Sequence, residues 1–122
     1  MLRFQVSVYG DSRASALPVT FDQATAALQL LERLFLAPDG SFVWTGSTAD
    51  GELWQVDGNM IDRPDALAYV ELKGRCPEEQ FDRLLATFGW RETPLTFHLQ
   101  QRGIMLSEAE FRKLAANEGG AG

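Results

Sequence analysis

From Leu2 to Tyr9 apolar and polar side chains alternate without a break. Leu2, Phe4, Val6 and Val8 fall on one side; Arg3, Gln5, Ser7 and Tyr9 fall on the other. A period of two marks a strand that buries one face and wets the other. The same period returns over residues 67–73, where Ala68, Val70 and Leu72 oppose Tyr69, Glu71 and Lys73. It returns again over 95–100, where Leu95, Phe97 and Leu99 oppose Thr96, His98 and Gln100. A sheet covered by helices on both faces is built from continuously apolar strands instead. The alternation therefore predicts one covered face and one open, polar face carrying two tyrosines, Tyr9 and Tyr69.

The helices are announced by their ends. Thr20 with Gln23 three residues on is a capping box. Ala24, Ala27, Leu28, Leu31, Leu34 and Phe35 then run as a helical stripe, so one helix is predicted from Thr20 to the turn at Pro38-Asp39-Gly40. Pro77 at a first helical position, Glu78 and Glu79 at the positive end of the dipole, and Phe81, Leu84, Leu85 and Phe88 at i, i+3, i+4, i+7 predict a second helix, stopped by Gly89. Ser107 with Glu110 is another capping box, opening a short helix to Ala116. In between, short strands are expected over 41–46, 52–56 and 59–62. Three Asp-Gly pairs (39–40, 50–51, 57–58) supply the positive φ that tight turns require.

The resulting order is β-α-β-β-β-β-α-β-α. It predicts an α+β two-layer sandwich with a mixed, mostly antiparallel sheet and helices on one face. The plan is loosely ferredoxin-like with an extra hairpin. With 122 residues the chain is one domain, expected over 1–116, followed by a flexible Gly-rich tail over 117–122.

The net charge of −6 speaks against nucleic acid and against an anionic membrane surface, since both need clustered Lys and Arg. No apolar run reaches the roughly 20 residues that span a bilayer, and the N-terminus lacks the apolar stretch of a signal peptide, so the expected compartment is the cytoplasm. The single cysteine, Cys76, excludes an internal disulfide and a cysteine-based zinc site.

The acidic stretch over 50–62 tests as a calcium loop and fails. Started at Asp57, the fifth, sixth and twelfth positions are Ile61, Asp62 and Ala68; started at Asp50, the fifth is Trp54. No metal and no cofactor is expected. Cys76 stands where the second helix would take its N-cap, with Arg75 favouring a thiolate and Glu78 and Glu79 opposing one. His98, the only histidine, could serve as the base of such a scheme if its strand brings it near, and it sits on the polar face. Asp11, Ser12 and Arg13, in the loop over 10–15, are candidates for orienting a small polar ligand, although no phosphate-loop pattern surrounds them. Tyr9, Tyr69, His98 and Trp54 are candidates for an interface; Trp54 qualifies only if it points outward.

No catalytic constellation assembles from these residues. The leading expectation is a protein-binding or self-associating module that uses the open polar sheet face or the central hairpin. Its rival is a small-ligand-binding domain or small enzyme built on the 10–15 loop with Cys76 or His98.

Overall fold

The computed structural model describes residues 1–12 and 15–121, with side chains described through Ala116. Seven strands and three helices follow one another as β1 (Leu2–Tyr9), α1 (Phe21–Leu28), β2 (Leu34–Leu36), β3 (Ser41–Ser47), β4 (Leu53–Arg63), β5 (Ala66–Cys76), α2 (Glu78–Ala86), β6 (Thr96–Leu99), β7 (Ile104–Ser107) and α3 (Glu108–Ala121). The fold is α+β. The strands form one sheet in the order β2-β3-β4-β5-β1-β6-β7, and each ladder is antiparallel. The parallel pairing allowed for by the sequence reading is therefore not used between strands, and the strand number exceeds that of a simple ferredoxin-like plan.

The alternation in β1 sets the rest. Leu2, Phe4, Val6 and Val8 are buried. In register with them lie Cys76, Leu72 and Val70 of β5. Phe4 meets Phe81 of α2 at 4.9 Å and Phe111 of α3 at 6.4 Å between ring centroids. Phe97 stacks on Phe111 at 4.6 Å. Phe81, Leu84, Leu85 and Phe88, the stripe read from the sequence, are fully buried. This aromatic and leucine cluster is the main apolar contribution to stability, at about 25 cal/mol per Å² of surface removed from water.

Five expectations shift. The predicted first helix ends at Leu28 rather than running on to Phe35. Arg33 takes a left-handed φ of 58°, and Leu34 to Leu36 leave the helix to become the edge strand β2. The helical stripe and the alternation share Leu34 in common; a Trp44 Nε1 that donates to the Glu32 carbonyl oxygen at 2.9 Å holds the turn that decides between them.

Asp57-Gly58 is not a turn, so 52–56 and 59–62 are one strand, β4. A Cβ at Gly58 would lie 2.0 Å from the Phe42 ring, so this glycine serves close packing. Asp50-Gly51 does turn, with Gly51 at φ 86°. Opposite Ile61 and Asp62 of β4 the ladder skips Ala68 of β5, which buries Leu67 in place of Ala68. The slip is a bulge, one extra residue that flips the phase upstream of it.

The N-cap of α2 is Pro77, and Cys76 is the last residue of β5. The Ser107–Glu110 capping box forms as expected: Glu110 N–H donates to Ser107 Oγ at 3.2 Å, and Ser107 N–H donates to Glu110 Oε1 at 3.0 Å. Helix α3 continues past Ala116 to Ala121. Gly122 and the side chains beyond Ala116 lie outside the described residues, and the expected tail over 117–122 falls there. No helix among the described residues is long and apolar enough to cross a membrane.

Candidate functional site

The face opposite Phe4 and Val6 carries the alternate residues of every strand. The ladders align them in rows. One row runs Ser41, Asn59, Glu71, Ser7, His98, Met105; the next runs Phe35, Val43, Asp57, Lys73, Gln5; a third runs Thr45, Gln55, Arg75, Arg3.

The middle of this face satisfies itself. Gln100 Nε2 donates to Ser7 Oγ at 3.0 Å and to Glu71 Oε2 at 3.3 Å. Gln5 Nε2 donates to Gln100 Oε1 at 3.3 Å, and Gln101 Nε2 donates to Gln5 Oε1 at 3.2 Å. His98 is half-buried beside this network, opposite Ser7. Tyr9 and Tyr69 stack with centroids 4.9 Å apart and rings 29° from parallel. Burial raises the Tyr9 hydroxyl's pKa first, Tyr69 and Glu71 add to the rise, and Arg63 works against it.

The end of the face beyond this network is different. Arg3, Arg33 and Arg75 line a shallow depression of about 730 Å³ with Thr45, Ser47, Gln55 and Leu53. Strand phase brings Arg3 and Arg75 directly opposite each other. Arg33 arrives through the left-handed turn before β2, where the Thr45 N–H donates to its carbonyl at 3.4 Å. Arg75 donates from Nη2 to the Leu53 carbonyl oxygen at 2.9 Å and faces Glu52 at 3.6 Å. Two exposed apolar residues flank this end: Leu53 and, on β2, Phe35, each 71% exposed.

The residues singled out from the sequence do not gather. Cys76 is buried and points to the covered face. Burial pushes its thiol up to about 12, with Asp82 adding to the rise and the N-terminal ammonium opposing it. It pairs with Leu2, the first residue of β1, whereas the 10–15 loop follows Tyr9, the last. Eight residues of strand separate them by roughly 25 Å. His98 is on the opposite face from Cys76.

Asp11 and Ser12 are exposed, and Arg13 lies outside the described residues. The loop closes on itself through Gly10 N–H to the Ser15 carbonyl at 2.9 Å and Ser15 N–H to the Ser12 carbonyl at 3.0 Å. Trp54 points inward: it is 6% exposed, its ring meets Trp44 edge-on at 4.9 Å, and it lies over Gly46. The phase of β4, which buries Trp54, Val56, Gly58 and Met60 together, decides this.

The arginine trio was missed in the sequence. Arg3 was visible on the polar face, but its partners depend on the β1–β5 register and on the unforeseen turn at Arg33. No known protein family matches this sequence, and no curated protein or solved structure is similar to it.

Proposed function

We propose that this chain is a cytoplasmic binding module, and that the uncovered sheet face takes a protein partner or a second copy of the chain. The fold of such a module would be a two-layer sandwich, loosely ferredoxin-like with additional strands, whose helices all serve one face. One observation supports it above the others: Leu53, on the wall of the arginine depression, and Phe35, on the edge strand of the same face, are each 71% exposed. Large apolar side chains left in water next to Arg are the composition of an interface core.

The rival reading, a ligand site or small enzyme on the 10–15 loop with Cys76 or His98, requires those groups within hydrogen-bond reach of one another. Cys76 stands at the far end of β1 from that loop and on the opposite face from His98, whereas His98, paired with Ser7, lies toward the loop. Sedimentation velocity over a wide concentration range tests the binding reading, comparing wild type with Phe35→Ser/Leu53→Ser. Expected is an association, with itself or with a co-purifying protein, that the double variant abolishes. A wild type that stays monomeric and carries no partner removes the reading.

A further inference from the structure

Like charges placed directly opposite in a ladder repel, and Arg3 and Arg75 are so placed. Arg33 brings a third guanidinium to the same depression. The compensation is thin. Glu52 stands 3.6 Å from Arg75 with side chains 53% and 41% exposed, a geometry in which an ion pair contributes little. Among the described residues neither Arg3 nor Arg33 has an ion-pair partner. Asp57, the next carboxylate on the face, is opposite Lys73 and accepts from Gln55 Nε2 at 2.9 Å. In a chain of net charge −6 the depression is thus a local excess of positive charge.

Its chemistry points one way. Guanidinium groups present planar forks that match the paired oxygens of carboxylate and phosphate. Thr45, Ser47 and Gln55 add neutral donors around the rim, and Leu53 adds an apolar wall. We propose that this depression binds a small organic oxyanion, a phosphate- or carboxylate-bearing molecule held by Arg3, Arg33 and Arg75 with its apolar part against Leu53. The proposal goes beyond the binding-module reading and does not depend on it: a monomer without a protein partner would bind such an anion equally well.

Calorimetric titration at low ionic strength tests it, with inorganic phosphate and citrate as probes and sodium chloride at matched ionic strength as reference. Wild type is expected to bind at least one probe where chloride gives no heat. Phosphate alone identifies a phosphate-bearing ligand; citrate alone identifies a polycarboxylate. Arg3→Gln/Arg75→Gln is expected to lose at least tenfold in affinity. Glu52→Gln is expected to gain severalfold, because it releases Arg75, a sign that a merely structural role would not produce. Neither probe exceeding chloride, or the double variant binding as wild type does, overturns the proposal. Should the double variant fail to fold, amide shifts of the wild type under the probe decide: changes centred on Thr45, Ser47, Gln55 and Arg75 support the site, and changes elsewhere overturn it.

Discussion

Two groups of arginine stand on opposite sides of the same sheet. On the covered side Arg112 of α3 reaches Glu78 at 3.0 Å, Asp82 at 2.6 Å and Glu108 at 2.8 Å. Its guanidinium also lies over the Phe81 ring at 5.5 Å and the Trp90 ring at 4.9 Å, and the side chain is 15% exposed. Burial acts to lower its pKa, yet hydrogen bonds with Asp82 and Glu78 outweigh that and the net direction is up. At the depression Arg75 alone has a carboxylate, Glu52 at 3.6 Å, and among the described residues Arg3 and Arg33 pair with none. The first group is closed by its own chain and ties α3 to α2. The second is left for something outside the chain. An arginine ringed by its own chain's carboxylates is part of the fold; arginines crowded without counter-charges are a surface in waiting.

That contrast makes damage to the covered side costly and damage to the open side cheap. Phe81, fully buried among Phe4, Phe97 and Phe111 and beneath Arg112, is the severest case. Phe81→Ala should cost about 3–5 kcal/mol by denaturant unfolding, through lost transfer energy and the cavity left behind. Arg112→Met should cost about 2 kcal/mol. That is less than for a fully buried pair, because Glu78, Asp82 and Glu108 are 60%, 34% and 31% exposed and water screens them in part. Adding Asp82→Asn to Arg112→Met should recover part of the loss, as the remaining carboxylates then repel less. An unchanged melting curve for Arg112→Met would erase the distinction between the two groups.

Cys76 and Arg75 are neighbours in sequence that face opposite sides, and pH separates them. The folded Cys76 thiol is raised from 9.0 to about 12 by burial. Below the unfolded value both states hold the proton and the contribution is whole. As pH rises from there toward the folded value, only the unfolded chain ionises and stability falls. Wild type should lose about 1 kcal/mol more than Cys76→Ala does between about pH 8 and about pH 10. Equal slopes for the two proteins would place the thiol in water.

Much of the covered side was legible beforehand, since burial imposes periods that a sequence displays. The alternation of β1 and the stripe Phe81, Leu84, Leu85, Phe88 follow from which atoms must leave water. The misreadings have local causes. Leu34 satisfies both a helical and a strand period, and only the turn at Arg33 separates the two. Asp57-Gly58 has the composition of a turn, but Phe42 claims the space above Gly58. The bulge in β5 depends on pairing with β4. The arginine depression was the least legible, because no periodicity records which residues of separate strands stand side by side. Arg3, Arg33 and Arg75 come together only once register is known, and their number on the chain says nothing of it.

The smallest expected effect is the one that bears most directly on the open side. Arg3→Gln keeps length and hydrogen-bonding capacity while removing one of three like charges. Arg3 is exposed and has no ion-pair partner among the described residues, so nothing is lost but repulsion. The substitution should leave stability unchanged or raise it by up to about 0.5 kcal/mol at low salt. Salt should remove the difference: near about 1 M the screening length falls to about 3 Å, and wild type and variant should unfold together. Salt reports on the cause as well as the size, since a packing effect would survive it. A loss of stability in Arg3→Gln comparable to that of Arg112→Met would mean that the open-face arginines are structural too, and the contrast between the two sides would fall with it.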